Sequence, residues 1–232
     1  MTVLVLGIGN ILWADEGFGV RAVEAFHRRY ELPDDVVLLD GGTQGLYLVN
    51  YVQEADDLLV FDAIDYGMTA GTLKIVRDDE VPKFTGAKKM SLHQTGFQEV
   101  LSAADLLGAY PRRLALIGCQ PVDLEDWGGP LTPPVRDAIG SAVDAAVAVL
   151  ADWGVAVRSR AVPLPDDEGL LSNDIGHSAY ERVFGGLSAQ PVMAGEGPPS
   201  TPLPTAAPQG ADGGPAPAMT AFVAAIDPRG YT

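Results

Sequence analysis

Short apolar runs that stop at a glycine or an aspartate recur along the first two thirds of this chain. Residues 3–6 run into Gly7, residues 36–39 into Asp40, residues 58–61 into Asp62, and residues 114–117 into Gly118. Unbroken runs of this length mark strands buried on both faces, as in a parallel sheet covered by helices. The segments between them have helical spacing. Residues 17–30 place Val20, Val23 and Phe26 on one face, and residues 94–107 do the same with Phe97, Val100, Leu101 and Ala104. Residues 44–54 form a further helix. Residues 133–153 form a long one, with prolines at its start and Val135, Ile139, Val143, Val147 and Leu150 inward. A fourth strand, 72–76, is entered from the turn 67–71. That connection is too short for a helical crossover, so this strand runs antiparallel to the third. The expected fold class is α/β: a three-layer α/β/α sandwich on a mostly parallel five-stranded sheet with one antiparallel strand.

The 232 residues, 47% of them hydrophobic, suffice for one domain with a full core. We divide the chain into a folded domain at 1–158, a variable segment at 159–190, with a short helix expected at 178–184, and a tail at 191–232. The tail holds nine of the 18 prolines and four charged residues, a composition expected to stay disordered. A formal charge of −16 repels phosphate backbones, which argues against nucleic-acid binding and leaves cations and cationic partners. One cysteine, Cys119, permits neither an internal disulfide nor a thiolate zinc cluster. No apolar run reaches the roughly 18–20 residues of a membrane span. The N-terminal apolar run lacks a basic region before it and a cleavage site after it, so it reads as a core strand. The expectation is a cytoplasmic protein without membrane insertion.

The opening GIGNILWADEGFG looks at first like a dinucleotide fingerprint. That motif needs a third glycine or alanine at the position held by Leu12, and an acid about 20 residues on; Asp40 lies 31 residues after Gly9. A phosphate here would meet Asp15 and Glu16. The carboxylates suit a cation better. In open α/β sheets, ligands bind beyond the carboxyl ends of the strands. Three loops leaving that edge carry Glu16, Asp62 and, in SLHQTG, His93. An oxygen, oxygen and nitrogen donor set with open positions suits zinc, nickel or iron in a working site. Each residue also has a plainer reading: Glu16 favours a helix dipole, Asp62 caps its loop, and His93 is a satisfied histidine. Spacing alone does not bring the three together.

Five segments, GIGNILWADEGFGV, LLDGGTQG, VFDAIDYG, SLHQTGF and LIGCQPVDLEDWGGPLTPPV, resemble in order those of the nickel-iron hydrogenase maturation endopeptidases, over about residues 1–155. The resemblance implies removal of a C-terminal extension from the hydrogenase large-subunit precursor after nickel insertion. It implies Glu16, Asp62 and His93 as metal ligands. In the version preferred here the resemblance implies nickel supplied by the substrate and serving for recognition, with zinc or cadmium as substitutes; in the other the enzyme holds its own metal. Other hydrogenase maturation proteins are possible partners. Asp40, in the glycine-rich DGGTQG loop, is the candidate catalytic residue, positioning substrate or water in an aspartyl-type site, with a turn-forming aspartate as its plainer reading; Asp65 is a weaker one. Asp15 is expected to cap the first helix, Trp13 to pack or dock, and Tyr47, with the apolar face of its helix, to pack in the core rather than offer docking surface. Cys119 reads as a buried small hydrophobe. The alternatives are a nickel-dependent assembly checkpoint that cuts nothing and a general zinc metallopeptidase, the latter without its H-E-x-x-H motif.

Overall fold

The computed structural model describes residues 1–81, 92–165 and 168–170, and for residues 92–96 the backbone alone. The short helix expected at 178–184 and the tail at 191–232 lie outside the described residues. In chain order the elements are β1 (Val3–Ile8), α1 (Phe18–Arg29), β2 (Tyr30–Glu31), β3 (Val36–Gly42), α2 (Val49–Glu54), β4 (Asp57–Ala63), β5 (Leu73–Arg77), α3 (Leu92–Leu106), β6 (Arg113–Cys119), α4 (Pro133–Asp152) and β7 (Arg158–Ser159). Single 3-10 turns, Ala14–Gly17 and Gly45–Leu48, lead into α1 and α2.

The five long strands form one sheet in the order β3-β1-β4-β6-β5. β1 pairs in parallel with β3 and β4, and β4 with β6; β5 is antiparallel to β6. The antiparallel direction of β5 follows the sequence expectation. Its neighbour is β6, which lies between it and β4. β2 and β7 form a separate two-residue antiparallel pair.

Each sheet face has its own core. On one, Val3, Val5 and Phe61 pack with Phe18, Val23 and Phe26 of α1 and with Val135, Val143 and Leu150 of α4. On the other, Leu4, Leu6, Val60 and Leu116 pack with Leu48, Val52 of α2, and Phe97, Val100 and Leu101 of α3. Each such side chain contributes about 1.5–3 kcal/mol on burial. This alternation along the strands decides which face each functional residue presents. Gly154, two residues past the end of α4, takes a φ of 81° that favours glycine; Val155 N–H donates to Leu150 O and Gly154 N–H to Ala151 O, closing the last turn. Among the described residues no helix is long and apolar enough to cross a membrane.

Candidate metal and peptidase site

The glycines of the opening segment serve close packing. A Cβ on Gly7 would strike the Gly19 carbonyl and Val23, and one on Gly19 would strike the Ile8 and Phe61 carbonyls. Their absence lets α1 lie directly on β1 and β4. At Gly9, φ 141°, a Cβ would overlap the Glu16 carbonyl. Asn10 N–H donates to that carbonyl at 3.2 Å, and Glu16 N–H donates to Trp13 O at 2.9 Å. The chain therefore folds back at the carboxyl edge of β1 and buries Glu16 there. Burial pushes the Glu16 carboxyl up to about 7.

Asp62 is the sixth residue of β4 and is buried. It shares the face of Leu58 and Val60, the face covered by α2 and α3. Its Oδ1 has no hydrogen-bond partner among the described residues. Burial raises its carboxyl well above the usual range, the Ala63 amide opposes this, and the charge of Glu16 adds to it. Glu16 and Asp62 therefore sit within electrostatic reach of each other. A buried acceptor without a donor costs about 1–3 kcal/mol. Two neighbouring buried carboxylates with such an orphaned oxygen fit a divalent cation. Among the described residues no group of three His, Cys, Asp or Glu side chains completes a metal site. His93 lies in the first turn of α3, which starts two residues earlier than the spacing predicts, and its side chain is outside the described residues.

Asp40 goes elsewhere. It shares the β3 face of Val36 and Leu38, which pack toward α1 and α4, opposite to the face of Asp62. Its Oδ1 accepts from Gly42 N–H at 2.9 Å, an Asx turn that shapes the glycine-rich loop. Burial raises its carboxyl; the Gly42 bond and Arg21 lower it, and Glu24 raises it. Both charged neighbours belong to α1. Asp62 thus feels the charge of Glu16, and Asp40 those of Arg21 and Glu24.

Asp15 does not cap α1, which starts at Phe18 without a side-chain cap. Its carboxylate instead accepts from the N–H groups of Val122 (2.8 Å), Asp123 (3.0 Å) and Thr132 (2.7 Å) and from the Thr132 hydroxyl (2.9 Å). It latches the loop between β6 and α4 to the Glu16 turn. Trp13 bridges to Trp127 of that loop, with ring centroids 5.2 Å apart at 82°. Asp65 closes a turn on Gly67 N–H and accepts from Gln120 Nε2. Tyr47 is 83% exposed, so of its two expected readings core packing fails.

Two residues inside the quoted motifs were not singled out from the sequence. Gln120, buried, accepts from Tyr66 N–H (2.8 Å) and Met68 N–H (3.0 Å), and so fixes the loop that follows Asp62. Tyr66 lays its ring over Gly118, the register partner of Asp62 on β6, where any Cβ would clash with it. Lys74, the partner of Gly118 on β5, holds its ammonium 5.0 Å from that ring. Asp62 raises the Tyr66 phenol further after burial, so it stays protonated. The spacing of Gln120 from Cys119 held no sign of this role; it becomes visible only once β4 and β6 are paired. Cys119 is buried with its thiol pushed up to about 12, which leaves no thiolate nucleophile.

A family model described as hydrogenase maturation protease, HycI, matches residues 20–149. The hydrogenase expression/formation protein HupD of Bradyrhizobium diazoefficiens is 74% identical over 179 residues, covering 77% of this chain and 93% of that protein. The hydrogenase 2 maturation protease of Escherichia coli K12 is 47% identical over 162 residues, covering 69% of this chain and 97% of that protein. The solved structure of the hydrogenase maturating endopeptidase HybD from E. coli superposes with a TM-score of 0.65 at 44% identity, over 69% of this chain and 98% of that one. The match in sequence and in fold makes this chain a member of the hydrogenase maturation protease family.

Proposed function

We propose that this endopeptidase removes the C-terminal extension of the nickel-iron hydrogenase large-subunit precursor after nickel insertion, and that Glu16, Asp62 and His93 hold the nickel that arrives with the substrate. The observation that supports the reading is the pair of buried carboxylates at the sheet edge, one with an unpartnered oxygen. Family membership supports the substrate. The nickel, or zinc or cadmium in its place, supplies Lewis acidity toward a scissile carbonyl.

The chain's own groups do the rest. Glu16, with its carboxyl near 7, gives up its proton as the cation is bound. Asp62 offers the orphaned Oδ1. Tyr66 keeps solvent from the β6 side of Asp62, and Gln120 fixes the backbone that carries Tyr66. Asp40 acts on the substrate indirectly, by shaping the glycine-rich loop through its bond to Gly42. With a substrate-borne metal, the precursor's own ligands fill the positions that Glu16, Asp62 and His93 leave open. The same proposal places the reaction in the cytoplasm, in keeping with a lone, buried and free cysteine.

The test is intact-mass analysis of the precursor, prepared with and without nickel and incubated with the enzyme. Loss of a C-terminal peptide from the nickel-loaded form alone is the expected result, abolished by Glu16→Ala, Asp62→Ala or His93→Ala. Equal cleavage of both forms would overturn the recognition role of nickel. Cleavage of neither would overturn the substrate.

A further inference from the structure

The loops that leave the carboxyl ends of β1, β3, β4 and β6, at 9–17, 43–48, 64–72 and 120–132, contain no lysine or arginine. They carry Asp15, Glu16, Asp65, Asp123, Glu125 and Asp126. Two groups of exposed large apolar side chains stand among these acids. Leu12, Val122 and Trp127 form one; Leu46, Tyr47 and Tyr51, on the helical turns after β3, form the other. Apolar side chains scattered singly over a surface need no explanation. These two groups are gathered at one sheet edge, on backbone tied to the Glu16 turn from both sides.

The ties are explicit. Gly9 N–H donates to Gly42 O at 3.1 Å, which joins the Glu16 turn to the loop leading to Tyr47. Gly128 N–H donates to Leu12 O at 2.8 Å, and the Asp15 carboxylate holds Val122 and Asp123. Trp127 is 64% exposed yet packs its edge on Trp13. Tyr47 is 83% exposed, with Tyr51 one turn further along. Large aromatics that stay solvent-exposed on pinned backbone lose little freedom on binding, and Trp and Tyr dominate the energetics of protein interfaces.

We propose that the Leu12–Val122–Trp127 and Leu46–Tyr47–Tyr51 groups form the docking surface for the folded body of the hydrogenase large-subunit precursor, whose matching surface is apolar with a rim of lysine and arginine. This rests on the function proposed above. The occupant follows from two facts: both groups stand on loops tied to the Glu16 turn, and the four loops named above offer acids without a lysine or arginine. Docking brings affinity from the apolar groups, and orientation and speed of encounter from the charges.

The experiment measures precursor affinity by calorimetry, which does not depend on cleavage, together with KM and kcat for the nickel-loaded precursor. The variants are Trp127→Ser and Tyr47→Ser; the second side chain is too exposed for its loss to disturb the core. Each is expected to weaken binding and raise KM at least tenfold, with kcat within twofold and nickel-ion binding to the enzyme unchanged. Wild-type affinity is expected to fall as NaCl rises from 50 to 400 mM. Affinity within twofold of wild type in both variants would overturn the docking surface. Variant-sensitive binding without any cleavage by the wild type would sink the functional reading and leave the surface standing.

Discussion

At the scale of single residues, the chain holds two carboxylates where folding alone would prefer none. Glu16 has a folded carboxyl at about 7 against 4.5 in the open chain. The folded protein therefore keeps a proton that the unfolded chain has released over this window. Stability that is full below 4.5 is lost as pH rises through 7, by at most about 3 kcal/mol for this group. Asp62 shifts in the same direction. Urea unfolding of EDTA-treated enzyme at pH 5 and pH 8 is expected to show this loss, and Glu16→Gln to flatten it; a wild type more stable at pH 8 would contradict the burial argument. Asp15 is a counter-case: an acid made favourable by four donors. Asp15→Ala strands the Val122, Asp123 and Thr132 amides and is expected to cost roughly 3 kcal/mol in urea unfolding. Cys119, with its thiol near 12, should resist iodoacetamide at pH 8 in the native enzyme and react only on unfolding.

At the scale of elements, the Gly7–Gly19 crossing of α1 over β1 links fold to site. Gly19→Ala drives a methyl into the Ile8 and Phe61 carbonyls, which are backbone and have little room to yield. The expected cost is about 1–3 kcal/mol in thermal or urea unfolding. Metal affinity should fall with it, because Phe61 precedes Asp62 and the Glu16 turn feeds directly into α1. A variant with wild-type stability would show that α1 can slide on the sheet. The elements themselves were legible in sequence because each of the long ones repeats a local pattern: unbroken apolar runs for β1, β4 and β6, a 3.6-residue period for α1, α3 and α4. The pair β2–β7 was not, since two residues carry no period and their partners stand 127 or more positions apart. Nor was the placing of β6 between β4 and β5, because pairing order depends on packing of the whole sheet, not on either strand's own sequence.

At the scale of the whole molecule, the same division holds for the site. Glu16 and Asp62 were legible because strand ends advertise them, and Asp62 shows its special state only once β4 is buried. Asp40 also ends its apolar run, but the face it presents is fixed by its alternation with Val36 and Leu38 along β3 and by the register of β3 on β1, which no motif encodes. The Asp15 latch spans 107 to 117 positions and was invisible for the same reason. What composition does fix is the overall field. A formal charge of −16 and a pI of about 4.3 mean that at pH 7.5 the folded chain repels itself. Its exposed ion pairs, such as Arg77–Asp152 and Arg158–Glu31, offset little, since such pairs contribute about 0–1 kcal/mol each. Salt shortens the range of that repulsion to about 8 Å at 0.15 M. Raising NaCl from 20 to 300 mM is therefore expected to raise the Tm of the metal-free enzyme by a few degrees, read by calorimetry at pH 7.5. Asp56 and Asp57, gathered with Arg112 and Arg113 at the amino end of the sheet, work the other way, because screening weakens their attraction. A fall in Tm with salt would show that this local network outweighs the net charge.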